Sequence, residues 1–137
     1  MEPLVSILIP AFNAEAWIAA TIKSALAQTW PRKEIIVVDD GSKDETLRVV
    51  RGFEGGLVKV ATQPNQGAAA ARNKALSLSR GEYVQWLDAD DLLNRDKISK
   101  QLGLLKSCGS KKTLASCGWG YFVCRPEKAQ FNQTPLW

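Results

Sequence analysis

The stretch EIIVVDDGS, residues 34–42, is a short apolar run that ends in an acidic turn. Four consecutive β-branched residues bounded by turn formers read as a buried strand, broken at Asp39-Asp40-Gly41. Ser42, with Glu45 three residues on, makes a capping box that predicts a helix through about residue 52. A strand that passes through an acidic turn into a helix is half of a βαβ unit, and the same cadence recurs on either side.

Upstream, LVSILIP (4–10) is a second buried-strand pattern, stopped by Pro10. The helix expected after it has Asn13 as its cap and Trp17, Ile18, Ile22, Ala25 and Leu26 as its apolar face. Downstream, LVKVATQ predicts a weaker strand, and NQGAAAARNKALSLSRG (65–81) an Ala-rich helix with Gly67 near its start and Gly81 as its stop. YVQWL (83–87) predicts a fourth strand with Trp86 in the core. Leu92 to about Cys108 includes a fourth helix, and TLASCGWGYFV one or two short strands. Strands alternating with helices imply right-handed crossovers and an α/β sandwich, with a mainly parallel central sheet flanked by helices.

In such sheets ligands bind beyond the carboxyl ends of the strands. PAFN follows the first strand, DDGS the second and DADD the fourth, so three polar loops share one edge. Asp88, Asp90 and Asp91 repel one another, so the cluster either sits in water as a solvated turn or awaits a compensating cation. Asp88 and Asp90 are two apart, which on an extended segment puts both carboxylates on one face as a partial shell for Mg²⁺ or Mn²⁺. Asp39 is expected to satisfy turn amides, and Asp91 to act as a charge at a helix N-terminus.

Composition narrows the chemistry. The 137 residues are 45% hydrophobic and 23% charged, which suits one domain with a core of its own. The chain has no histidine, so Ser-His-Asp and Cys-His machinery are excluded. Three cysteines (Cys108, Cys117, Cys124) without CxxC spacing argue against a disulfide framework. Neither GxGxxG after the first strand nor GxxxxGK[ST] occurs, which removes the usual phosphate-cradling loops. The start, MEPLVSILIP, lacks the basic segment of a signal peptide, so a cytoplasmic location is expected. Residues 1–94 carry a balance of −2 and residues 95–137 one of +6. The basic C-terminal part suits peripheral contact with the anionic inner face of a membrane or a phosphate-bearing acceptor, or else a solvated surface. It lacks the interleaved aromatics of a nucleic-acid interface, so no nucleic acid partner is expected.

Taken in order and spacing, VSILIPAFNAEAWIAATIKSALAQT, EIIVVDDGSKDET, NQGAAAARNKAL and GEYVQWLDADD resemble the nucleotide-binding half of family 2 glycosyltransferases with the GT-A fold, over about residues 4–108. The resemblance implies transfer of a sugar from a nucleotide diphosphate donor, a UDP-sugar for preference, to a saccharide or lipid-linked acceptor. It implies inversion at the sugar and the use of Mn²⁺ or Mg²⁺. Pro10, Ala11, Phe12 and Asn13 would then line the base pocket, with Phe12 offering a ring face, and Glu15 would lie near the nucleotide. Asp40 would accept from the uracil N–H, and Arg72 would reach the ribose-phosphate region. Asp88 would hold ribose or metal-bound water, and Asp90 would ligate the metal. The plainer alternatives at single positions are Phe12 in the core and Arg72 as a surface ion-pair partner.

An inverting transfer also needs a general base. Only Asp96 and Glu127 follow Asp91, neither in an acidic motif, so the base is expected outside this chain. Residues 1–110 read as the donor half and 111–137 as the start of an acceptor half of a longer enzyme. The alternative from another class is a non-catalytic α/β regulatory or nucleotide-binding module. A receiver-like domain, however, wants acids where the first strand here ends in PAFN.

Overall fold

A computed structural model describes residues 2–108, 115, 119–121 and 130–132. Strands β1 (Val5–Ala11), β2 (Lys33–Asp39), β3 (Val58–Thr62) and β4 (Tyr83–Trp86) form one parallel sheet in the order β3-β2-β1-β4. Helix α1 (Ile18–Leu26) links β1 to β2, α2 (Thr46–Arg51) links β2 to β3, and α3 (Ala68–Leu78) links β3 to β4. Right-handed crossovers run one way from β1 to β3 and then return past β1 to β4, which puts α1 and α2 on one face and α3 on the other.

The two central strands are buried nearly end to end, which is why both read as continuous apolar runs rather than as alternation. On one face Leu8, Ile36 and Val38 pack against Ala71 and Ala75 of α3, whose small side chains let the helix lie close to the sheet. On α1, Ile18, Ile22 and Ala25 are buried as expected, whereas Trp17 is half exposed. Val5 pairs with Lys33 and Ala11 with Asp39, so β1 and β2 finish level with each other.

The amino-end edge of the sheet is held by a buried carboxylate. Glu34 accepts from the Ser6 hydroxyl (2.7 Å), the Arg80 amide (2.7 Å), Lys59 Nζ (3.0 Å) and the Arg80 guanidinium (3.2 Å). Burial alone would raise its pKa, but these donors outweigh burial and hold the carboxyl at about 2. Gly81 belongs to the same junction. A Cβ there would stand 2.6 Å from both the amide nitrogen and the hydroxyl of Ser6, so the position admits no side chain.

Several local expectations are corrected. Asn13 does not cap α1: it adopts a positive φ of 49°, and the helix begins five residues later. Ser42 and Glu45 form no capping box, since α2 starts at Thr46 and Glu45 pairs with Arg48 instead. Gly81 does not stop α3, which already ends at Leu78 with Ser79 as its C-cap. Trp86 is 40% exposed rather than core, because β4 is an edge strand among the described residues. Asp91 lies six residues ahead of helix α4 (Lys97–Cys108), too far to act at its N-terminus.

The chain divides into two compact units, Met1–Ile98 and Ser99–Trp137. In the second, β5 (Trp119–Tyr121) and β6 (Gln130–Asn132) pair antiparallel, and Gln101 Nε2 donates to the Ala115 carbonyl (3.1 Å). Cys117, Cys124, Glu127 and half of the basic segment's cations (Lys111, Lys112, Arg125 and Lys128) lie outside the described residues. Among the described residues no helix is long and apolar enough to cross a membrane.

Candidate functional site

A cavity of about 600 Å³ opens at the carboxyl edge of the sheet, where β1 stands between β2 and β4. The crossover from β1 runs to β2 on one face, while the crossover from β3 returns past β1 to β4 on the other, and the crevice between β1 and β4 is where such sheets bind ligands. Pro10, Ala11, Phe12, Asn13 and Ala14 line it from the end of β1, and Asp40 from the end of β2. Asn65, Gly67, Ala68, Ala71 and Arg72 contribute from the start of α3, and Asp88, Ala89 and Asp90 from the turn after β4. All three polar loops of the sequence analysis therefore meet on one cavity.

Phe12 is 46% exposed on the cavity wall, so it is not a core aromatic. The loop that carries it is stitched to the loop after β2. Asn13 N donates to Ser42 Oγ (3.0 Å), Lys43 N donates to Asn13 Oδ1 (2.8 Å), and Ala14 N donates to Thr46 Oγ1 (2.7 Å). Glu15 belongs to these stitches: its carboxylate accepts from Glu45 N (2.8 Å), and it is absent from the cavity lining.

Asp40 is buried and its carboxylate is largely engaged. Oδ1 accepts from Gln63 Nε2 (2.7 Å) and Gln66 N (2.9 Å), and Oδ2 accepts from Gly67 N (2.8 Å). Burial pushes its pKa up, but the Gln66 amide, the Gln63 side chain and the Gly67 amide together leave it below the ordinary value. A carboxylate offers about four acceptor positions, so one remains on Oδ2. Gly41 follows with φ +71°, and a Cβ there would sit 2.8 Å from Asn65 N. The glycine thus lets the β2 turn and the α3 loop touch. Asp39 takes the turn role expected of it, accepting from Ser42 N (3.2 Å). Its Oδ1 is buried without a hydrogen-bond partner.

Arg72 projects from α3 into the cavity and donates to Asp88 Oδ1 (2.7 Å). Asp88 and Asp90 both line the cavity, but not from an extended segment. Asp91 N donates to the Asp88 carbonyl (3.1 Å), which closes a turn around Ala89 and Asp90. Asp91 does not line the cavity; partial burial first, then the charges of Asp90 and Asp88, push its carboxyl up. Asp96 accepts from the Thr29 hydroxyl (3.1 Å) and is absent from the lining.

Trp17 and the Asn65–Ala68 loop were not anticipated as site residues. The helix pattern counts Trp17 with the apolar face, yet it stands half exposed on the cavity wall. The α3 loop had an available signal, because a helix that follows a parallel strand starts at the carboxyl edge too.

The sequence matches the family described as Glycosyl transferase family 2 over residues 6–117. WfaP of Escherichia coli, named a UDP-Glc:alpha-D-GlcNAc-diphosphoundecaprenol beta-1,3-glucosyltransferase, is 39% identical over 105 residues, 76% of this chain and 42% of its own. The Staphylococcus aureus protein TarS (1–349) in complex with UDP-GlcNAc superposes with a TM-score of 0.71 at 31% identity, covering 76% of this chain and 31% of TarS. The mannosyltransferase PcManGT from Pyrobaculum calidifontis, in complex with GDP-Man and Mn²⁺, gives 0.74 at 28% identity, covering 93% and 37%. The chain spans less than half the length of the curated relatives it matches. On this fold and this match, the chain belongs to glycosyltransferase family 2.

Proposed function

We propose that these residues form the donor site of an inverting glycosyltransferase that takes a UDP-sugar, with a divalent cation at the Asp88–Asp90 turn. The carrying observation is convergence: an exposed aromatic, a buried carboxylate with one acceptor position left, an arginine and two acids face one cavity. Phe12 offers its ring to the base, within the wall made by Pro10, Ala11 and Asn13. Asp40 Oδ2 accepts the uracil N–H, and Glu15 acts indirectly by holding the loop that carries Phe12. Arg72 reaches the ribose-phosphate region and meets Asp88, which serves ribose or metal-bound water. The hard oxygens of Asp88 and Asp90 are the donor type that Mn²⁺ and Mg²⁺ take, and two carboxylates leave positions for phosphate and water. A bound cation there would neutralise charge building on the departing diphosphate.

The acceptor site and the general base are assigned to the part of the enzyme beyond these residues, since no acid after Asp90 lines the cavity among the described residues. WfaP, with its lipid-linked acceptor, favours an acceptor of that kind or a saccharide. The same precedent favours work at the inner membrane face through peripheral contact. PcManGT raises a guanine donor as the alternative.

Calorimetry with UDP, CDP and GDP in Mn²⁺ tests the reading. UDP binding at least several-fold tighter than CDP and GDP is expected. A preference for GDP would move the donor to the guanine class, and no binding of any of them would refute a donor site.

A further inference from the structure

Helix α1 carries an ordered row of polar side chains on the side that meets the segment after β4. Thr21 Oγ1, fully buried, donates to the Ala89 carbonyl at 2.8 Å, and its contact with the Trp17 carbonyl is longer at 3.4 Å. A hydroxyl has one hydrogen, so the shorter bond to Ala89 claims it. One turn on, Ser24 Oγ accepts from Leu93 N (3.1 Å). Beyond the helix end, buried Gln28 donates to the Asn94 carbonyl (2.8 Å) and accepts from Ile98 N (3.3 Å). The spacing of 21, 24 and 28 keeps these side chains on one side of the helix.

We infer that Thr21 is the positioning residue of the acidic turn, fixing Asp88 and Asp90 toward the cavity through the Ala89 carbonyl, with Ser24 and Gln28 fastening the segment behind it. The inference rests on the donor-site reading above. The turn's own closure is the Asp91 N to Asp88 carbonyl bond, and its two cavity-facing acids flank the residue that Thr21 holds. With the Ala89 carbonyl committed to α1, the peptide between Ala89 and Asp90 cannot turn over without breaking a partly buried hydrogen bond. Neighbours that orient metal ligands in this way commonly contribute 10–100-fold to metal affinity.

The test compares Thr21→Val, which keeps shape and loses the hydroxyl, with Thr21→Ser, which keeps it. Two readouts apply: amide hydrogen exchange at Asp91, and UDP affinity by calorimetry in Mn²⁺ and in EDTA. In Thr21→Val the Asp91 amide should exchange roughly tenfold faster or more. The Mn²⁺-dependent gain in UDP affinity should fall about 10–100-fold, with UDP affinity in EDTA unchanged within about twofold. Thr21→Ser should behave as wild type on both. Should Thr21→Val fail to fold, Thr21→Ala supplies the same comparison, with the same two readouts. A folded Thr21→Val protein that keeps the metal-dependent gain overturns this inference alone. A wild-type chain with no metal-dependent gain overturns the donor-site reading, and this inference with it.

Discussion

Replacing Glu34 with Gln should destabilise the fold in a way that depends on pH and leaves the cavity untouched. Glu34 sits at the amino end of β2, five residues from Asp39, so about 16 Å of strand separates it from the site. Its carboxyl titrates at about 2 in place of 4.5. At about 1.4 kcal/mol for each tenfold, that gap is worth roughly 3 kcal/mol to the folded state. Because the folded pKa is depressed, the contribution is fully present above pH 4.5 and is lost as pH falls toward 2. Solvent at the exposed ends of Lys59 and Arg80 trims the figure to about 2–3 kcal/mol. Gln also turns an amide NH₂ toward cationic donors, which adds to the loss rather than offsetting it. Urea unfolding of wild type and Glu34→Gln at several pH values from 7 to 2 measures the effect. The variant should be about 2–3 kcal/mol less stable at pH 7, and the two curves should converge toward pH 2. A difference under about 0.5 kcal/mol at pH 7, with parallel pH profiles, would refute the reasoning.

Three further outcomes are expected. Asp40→Ala should flatten the preference for UDP over CDP, removing the roughly 5- to 150-fold discrimination that arises in the wild type when cytosine leaves the Asp40 carboxylate without a donor, read by calorimetry. The same variant strips the Gln66 and Gly67 amides of their acceptor and should lower the melting temperature. Gly81→Ala should cost about 1–3 kcal/mol or more, because the Ser6 contact involves backbone, and a thermal melt shows it. This chain should hold nucleotide yet transfer sugar at least 10²–10⁴-fold more slowly than a version extended through the acceptor half, since general-base catalysis contributes about that much. Product formation from a UDP-sugar panel measures the ratio, and equal turnover would show that Asp96 or Glu127 supplies the base.

The architecture was legible because it rests on burial. Parallel strands covered on both faces are written as apolar runs, and the helices between them set the crossover direction. The edge carrying the site followed from the same rule, which is why PAFN, DDGS and DADD could be grouped before their contacts were visible. The caps were misread for a physical reason. Asn13 and Ser42 have the chemistry of helix caps, but each spends it on a loop about 30 residues away, beyond the reach of a local pattern. Trp86 was misassigned because strand order, not the composition of YVQWL, makes β4 an edge among the described residues. For Asp88 and Asp90, spacing anticipated one shared face of an extended segment, whereas the two acids reach the cavity from a turn that hydrogen-bonds to α1, more than 60 residues earlier.

The central claim is that the Asp88–Asp90 turn holds a cation that a nucleoside diphosphate shares. UDP titrated into wild type and Asp90→Ala, each in Mn²⁺ and in EDTA, tests it most directly. Wild type should bind UDP at least tenfold tighter in Mn²⁺, Asp90→Ala should lose most of that gain, and Asp91→Ala should keep it. Equal UDP affinity with and without Mn²⁺ in the wild-type chain would contradict the account.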